Sequence, residues 1–115
     1  MNINPKIEKI FSALKIDEKQ IPIAYLQYFG TEDVYLTYYT WSERPELFFD
    51  NDYDAEVCFG TIDVWSKKNF KSLVEIVKQK LKENGFTWTD NGDEMYEPDT
   101  GYFHVPINFY VLNGE

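Results

Sequence analysis

The stretch DNDYDAE, residues 50–56, has a carboxylate at every second position, contributed by Asp50, Asp52, Asp54 and Glu56. Oxygen ligands at close spacing suit a hard divalent cation such as Ca²⁺. An EF-hand loop that began at Asp50 would need glycine sixth and glutamate twelfth, where the chain has Ala55 and Thr61. A looser cation site stays open as an alternative. The preferred interpretation is a solvated loop with Asx-type turns.

Nucleophilic chemistry would depend on the only cysteine, Cys58, and the only histidine, His104. Both lie in predicted strands, so a Cys–His pair is one alternative. The favoured interpretation places Cys58 in the core and His104 on the surface. No Cys/His cluster indicates structural zinc, and no Gly-rich loop before a helix indicates a phosphate site. We therefore expect no enzymatic activity, no metal and no cofactor.

Length and composition predict one domain, residues 1–115, without a membrane span. The net charge is −9 and Arg44 is the only arginine. This balance argues against direct nucleic-acid binding, because phosphates need cationic partners. The single cysteine and the lack of an apolar leader favour synthesis in the cytosol. Acids cluster in residues 43–63 and 90–99, and six of the ten lysines lie in residues 67–82, a segregation that suits head-to-tail association.

Capping residues and apolar periodicity predict two helices. Asn4 and Pro5 predict the start of the first helix. Ser66 or Asn69 is predicted to cap the second, which should end at Gly85 in the left-handed conformation. The first apolar stripe contains Ile3, Ile7, Ile10, Phe11 and Leu14. The second contains Phe70, Leu73, Val74, Val77 and Leu81.

Runs of β-branched and aromatic residues predict five strands. The short connection after Gly30 predicts a hairpin between the first two, and the polar stretch 42–54 predicts a long loop. The order α, β, β, β, α, β, β predicts an α+β fold, with a mostly antiparallel sheet and two helices packed on one face. The clearest strands are predicted at residues 21–30, 34–41, 56–65 and 102–112.

The second predicted strand is apolar on both faces. One face carries Tyr35, Tyr39 and Trp41, and the other carries Val34, Leu36 and Tyr38. Helices in an α+β domain cover one sheet face, so an apolar second face predicts another covering, such as a second chain. The alternative is an ordinary open face, on which tyrosine and threonine are common.

Four segments follow one another from Ile21 onward: IPIAYLQYFG, VYLTYYTWSERPELFFDND, TIDVWSKKNFKSLVEIVKQKLKENGF and YEPDTGYFHVPINFYV. Their order and spacing resemble the small tail-terminator proteins (tail-completion, or head–tail joining, proteins) of long-tailed phages and Gram-positive prophages. The resemblance implies a structural role. Proteins of this family form a ring, commonly a hexamer, at the head-proximal end of the tail tube. The ring ends tube polymerisation and offers the surface that docks onto the head.

The resemblance also implies partners and a location. The partners would be further copies of the chain, the major tail-tube protein and a head-completion or connector protein. The location would be the virion tail, and the host cytoplasm during assembly. The family has no catalytic residues to carry over, and no interface motif can be matched. The interface is therefore predicted from the residues alone as Tyr35, Tyr39, Trp41, Phe48, Phe49, Asp50, Asp52, Tyr53, Asp54, Lys67, Lys68 and Lys71.

Two other classes of function stay open. The first is an acidic inhibitor or DNA mimic that occupies a basic nucleic-acid-binding site of another protein, although the lysine-bearing second helix argues against it. The second is a small enzyme that uses His104 with a nearby carboxylate. Within the leading interpretation, residues 46–54 are predicted to form an exposed loop that orders at a subunit or tail-tube contact. Its carboxylates are expected to meet lysines of a neighbouring copy, with Lys67, Lys68 and Lys71 as the candidates.

Overall fold

The computed structural model describes residues 3–16, 18–45, 56–68 and 71–113. Antiparallel pairing predominates among its strands, which confirms the predicted α+β class. The elements are α1 (Asn4–Phe11), β1 (Lys15–Ile16), β2 (Lys19–Gln20), β3 (Ile23–Tyr25), β4 (Val34–Pro45), β5 (Glu56–Ser66), α2 (Lys71–Glu83), β6 (Thr87–Asn91), β7 (Met95–Glu97) and β8 (Tyr102–Asn113).

The main sheet has the strand order β3-β4-β5-β8-β6, and β7 pairs with β8 beside β6. The partner of β8 therefore changes along its length, from β7 at Tyr102–His104 to β6 beyond it. Pro106 lies at this change, and its carbonyl accepts a hydrogen bond from the Gly92 N–H at 2.9 Å. The ring nitrogen of Pro106 faces the same side, away from β5, so its missing N–H costs the β5–β8 ladder no bond.

The predicted hairpin between the first two long strands is wrong. Only Ile23–Tyr25 forms a strand, and it pairs with β4 in parallel. Leu26 has a positive φ of 64°, and the Gln27 N–H donates to the Tyr25 carbonyl at 2.7 Å, so the chain turns sharply there. Residues 26–33 then return the chain to the end at which β3 begins. The apolar periodicity of the sequence does not indicate whether β3 pairs with β4 in the parallel or the antiparallel direction.

Strand lengths also differ from the prediction in two places. The chain forms a small hairpin from β1 and β2, before the first strand predicted at residues 21–30. Strand β4 continues to Pro45, which pairs with Glu56, so the predicted loop begins later than Ser42. The remaining part of that loop, residues 46–55, lies outside the described residues.

The helix boundaries confirm the predicted end of α2 at Gly85 and correct the N-caps predicted at Asn4 and Ser66. Helix α1 begins at Asn4 itself, and Ile3 takes the cap position without a side-chain cap. Ser66 does not cap α2, because Lys67 and Lys68, which follow it, are not helical. Its Oγ accepts a hydrogen bond from the Lys68 N–H within that connection. Asn69 and Phe70 lie outside the described residues. After α2, Gly85 has the predicted positive φ of 85°.

Both helices pack on the same face of the sheet, where alternate strand residues form the core. Five residues that line the contact between α2 and the sheet are buried, namely Leu73, Val77, Leu81, Ile107 and Phe109. Side chains of this kind contribute about 1.5–3 kcal/mol each when fully buried. Tyr38 is a hydroxyl-bearing ring in this layer, and its hydroxyl donates to the Glu8 carboxylate. Neither described helix has the length and apolar character needed to cross a bilayer.

Candidate functional site on the open sheet face

The sheet face opposite the helices, here called the open face, is formed by the other alternate residues of β4, β5 and β8. Register places these residues in rows that run across the three strands. The rows are Tyr35–Trp65–His104, Thr37–Asp63–Pro106, Tyr39–Thr61–Asn108 and Ser42–Phe59–Tyr110. Tyr35, Tyr39 and Trp41 are thus on the predicted side of β4, because strand side chains alternate.

The first row is a stack of rings. The Trp65 ring lies parallel to His104 at 3.9 Å and to Tyr35 at 5.6 Å between centroids. Tyr102 meets Tyr35 edge-on at 5.3 Å, and Tyr28 covers Tyr35 at 4.5 Å. Burial under these rings raises the pKa of Tyr35 to about 12. The stack therefore shields its own polar groups although no helix covers it.

His104 and Asp63 form an acid–base pair on this face. The His104 Nε2 lies 2.8 Å from the Asp63 Oδ1, and the side chains are 14% and 12% exposed. The expectation that His104 is a surface residue is therefore wrong, because Trp65 and Asp63 cover it. Nε2 is the ring nitrogen that projects furthest from the backbone, and it is the one that is hydrogen-bonded to Asp63. The described contacts bring no hydroxyl or thiol nucleophile to this pair.

A chain of side-chain hydrogen bonds crosses the open face below the stack. The Trp41 indole N–H donates to the Thr61 Oγ1 at 3.1 Å, and the Thr61 hydroxyl donates to the Asn108 Oδ1 at 2.7 Å. The Asn108 amide then donates to the Asp90 carboxylate at 3.3 Å. Four strands are linked in this way, which holds the face rigid without an apolar layer.

A second aromatic group lies at the other end of the face. Trp41 sits in a register shift of β4 and stacks on Phe59 at 5.2 Å, and Phe59 contacts Tyr110 at 5.9 Å. Trp41 is 53% exposed despite these contacts. The open face therefore offers a large ring to solvent at this end and a covered stack at the other.

The Cys–His alternative is wrong, because Cys58 and His104 lie on opposite faces of the sheet. Cys58 pairs with Val111 on the helix side and is 2% exposed. Its burial raises the pKa of the thiol to about 11, so the thiolate that nucleophilic chemistry needs is disfavoured. Cys58 is a core residue, as the favoured interpretation predicted.

The predicted lysines do not form one cluster with the aromatic residues. The Lys67 Nζ lies 5.0 Å from the centroid of the Tyr102 ring, beside the stack. Lys68 and Lys71 are exposed near the start of α2. The other predicted interface residues lie outside the described residues, namely Phe48, Phe49, Asp50, Asp52, Tyr53 and Asp54.

Sequence reasoning missed two exposed apolar groups at opposite edges of the sheet. The β3 edge carries Tyr25, Leu26 and Phe29, and the β6–β7 edge carries Trp88, Met95 and Tyr96. Phe29 is the most exposed of them, at 87%. Both groups belong to strands of three to five residues or to adjoining turns, which are too short to give a periodic signal.

Among the described residues, no group of three or more His, Cys, Asp or Glu side chains could hold a metal ion. The acidic stretch 50–56 contributes only Glu56 to that set. Comparison with protein-family models gives no match, and comparison with curated protein sequences gives none either.

Proposed function

We propose that this chain is a non-enzymatic subunit of a ring that caps a phage or prophage tail tube, as its resemblance to tail terminators implies. The observation that carries the proposal is the pair of exposed apolar groups at the two edges of the sheet. Large apolar side chains left exposed along a sheet edge mark a candidate interaction surface. Two such surfaces on one subunit suit an assembly in which every copy has two neighbours.

The position of the two groups favours head-to-tail contact. The β3 edge and the β6 strand are separated by four strand spacings, roughly 19 Å. Their residues differ, with Tyr25, Leu26 and Phe29 on one side and Trp88, Met95 and Tyr96 on the other. A two-fold dimer would join identical patches, whereas contact between two different patches generates a ring when the rotation closes. The β3 edge of one copy would meet the β6–β7 edge of the next.

The open face supports the proposal by being a third, separate surface. Its side chains are held by ring stacking and by the hydrogen bonds from Trp41 to Asp90. A rigid face of this kind can present a fixed pattern to a partner while the two edges contact neighbouring copies. We assign it to the tail tube or to the head-side partner.

The His104–Asp63 pair does not favour an enzyme over this role. Asp63 occupies the projecting nitrogen of His104, and the only thiol lies on the other side of the sheet. A general base has to reach a proton on its substrate, and a nucleophile has to lie next to its base. The described residues meet neither condition. A structural role, in which Asp63 holds His104 against the Trp65 ring, accounts for the pair without a substrate.

The experiment is to change one edge at a time and to mix the variants. Phe29→Ser removes the β3 edge and Tyr96→Ser removes the β6–β7 edge, with the exposed residue Lys9→Ser as a matched control. Light scattering after size-exclusion chromatography should show weak self-association of the wild type at micromolar concentration. Each edge variant should lose it, and an equal mixture of the two should stop at dimers, because only one intact pair of edges remains.

Electron microscopy of purified tails is the second measurement. We expect the protein at the head-proximal end of each tube. Distribution along the tube, or absence from virions, would overturn the proposal. A chain that stays strictly monomeric and binds a basic nucleic-acid-binding protein in a one-to-one complex would favour the acidic-inhibitor alternative.

A further inference from the structure

A groove of about 440 Å³ runs between α2 and β6 on the β6–β7 edge. Phe86 and Trp88 provide its apolar surface, and the α2 side chains form the opposite wall. Phe86 is buried, whereas Trp88 keeps 41% of its surface exposed. The α2 residues along the groove are Glu75, Lys78, Gln79 and Lys82.

The charges on this wall favour an anionic occupant. The Lys78 Nζ lies 4.1 Å from the centroid of the Trp88 ring and 3.4 Å from the Glu75 carboxylate, which is itself largely exposed. Lys82 is exposed and has no carboxylate partner among the described residues. An occupant with both an apolar ring and a carboxylate would satisfy the Trp88 surface and the two ammonium groups together.

The chain itself contains a segment of that chemistry, residues 46–55. Its sequence, ELFFDNDYDA, has three aromatic rings and four carboxylates and no basic residue. The segment joins Pro45 to Glu56, which are partners at the end of the β4–β5 ladder. Both ends of the ten-residue segment are thus held side by side at one end of the sheet.

We infer that the acidic segment 46–55 of a second copy docks in the groove between α2 and β6. This inference rests on the proposed ring, and it names one contact between neighbouring subunits. An aromatic ring of the segment packs on Trp88, and its carboxylates pair with Lys78 and Lys82. These two lysines replace Lys67, Lys68 and Lys71 as the partners expected from the sequence.

A peptide of residues 45–56 tests the groove without requiring a ring. It is titrated into the full-length chain, and the three tryptophan indole N–H signals are followed by NMR. The Trp88 signal should shift, whereas Trp41 and Trp65 on the open face serve as internal controls because Thr61 and Thr37 hold their indoles. Binding should weaken as salt rises. Absence of a Trp88 shift at low salt would overturn the inference. This holds even if the chain's own segment fills the groove, because the inference assigns the groove to the segment of a second copy.

Matched variants sharpen this test. A peptide with Asp50, Asp52 and Asp54 changed to Asn, and the Lys82→Glu chain with the original peptide, should each bind about tenfold more weakly. Lys9→Glu, an equal charge change on α1, should bind like the wild type. Equal binding by Lys82→Glu and by the wild type would contradict the pairing.

Assembly measurements separate a failure of this inference from a failure of the proposed function. The full-length chain with Asp50, Asp52 and Asp54 changed to Asn should remain folded and lose self-association. If it assembles and completes tails at the wild-type yield, the inference is wrong and the ring stands. If the wild type itself forms no ring on tails, the proposed function is wrong, and the peptide titration still decides whether the groove binds the acidic segment.

Discussion

The same three strands, β4, β5 and β8, form both faces of the sheet, but the side chains on the two faces are buried in different ways. On the helix side, Leu36, Ile62 and Ile107 are fully buried by α1 and α2 without polar partners. On the open face no described helix or strand packs above β4, β5 and β8, yet Thr37, Thr61 and Asp63 are also buried. They are covered by neighbouring rings and joined to them by hydrogen bonds.

This difference gives the two faces different roles, because the helix side contributes most to stability and the open face is the one that a partner can reach. An apolar layer under helices gains free energy in proportion to the area removed from water, and it has no specific directional contacts. A layer of rings and hydrogen bonds gains less, because each bond replaces one made with water. It does hold side chains in fixed positions at a surface that a partner can reach. We therefore expect substitutions on the helix side to change stability most.

The largest effect is expected for Leu81→Ala on the helix side. Leu81 is fully buried, and its loss leaves a cavity between α2 and the sheet. The free energy of unfolding should fall by about 2–5 kcal/mol. Chemical denaturation measures this, and Lys82→Ala on the exposed side of the same helix turn is the control. An unchanged denaturation midpoint for Leu81→Ala would contradict the assigned helix face.

The next effect is expected for Gly60→Ala, also on the helix side. A Cβ at Gly60 would lie 2.7 Å from the Phe109 Cζ and 2.8 Å from the Tyr39 carbonyl oxygen. Because the second atom belongs to the backbone, rotation of a side chain cannot relieve both contacts. Unfolding free energy should fall by about 1–3 kcal/mol. Combining the change with Phe109→Leu should recover part of the loss in a double-mutant cycle, and purely additive effects would contradict the clash.

Much of the helix-covered face could be predicted from the sequence, because its apolar residues repeat with the periods of a helix and a strand. The stripe of α2, its end at Gly85 and the alternation of β8 are examples. The parallel pairing of β3 could not be predicted, since a three-residue strand has no period and its direction is set by the turn at Leu26.

The candidate site was predictable only in its outline. Alternation placed Tyr35, Tyr39 and Trp41 on one face. The contact between His104 and Asp63 depends on the register of β5 against β8, which joins residues 41 positions apart. Apolar patterning specifies which face a residue takes and does not specify which polar side chains become neighbours across the strands.

On the open face, His104→Ala should cost less than the helix-side changes. It removes a ring stacked on Trp65 and leaves the Asp63 carboxylate without its partner. We expect the fold to be kept and the unfolding free energy to fall by about 1–2 kcal/mol. Asp63→Asn and the double variant complete a cycle that isolates the pair. We also expect no loss of catalytic function, and an enzymatic activity abolished by His104→Ala would overturn the structural interpretation.

The smallest effect on stability at neutral pH is expected for Cys58→Val on the helix side. Ionisation of this buried thiol makes its contribution to stability depend on pH. Burial raises the pKa of the Cys58 thiol from the ordinary value of 9.0 to about 11 in the folded chain. The unfolded chain therefore loses this proton first, and the folded state binds more protons between these values. The resulting stability contribution is fully present below about pH 9 and is lost as pH rises through about 11.

Tyr35 and Tyr38 also have raised pKa values, so the pH dependence of the wild type alone cannot isolate the thiol. The measurement is the difference in unfolding free energy between the wild type and Cys58→Val, which retains both tyrosines. That difference should be constant from pH 7 to 9 and should then move against the wild type up to pH 11. A constant difference across the whole range would mean that Cys58 titrates as an exposed thiol, and the assignment of β5 side chains to the two faces would be wrong.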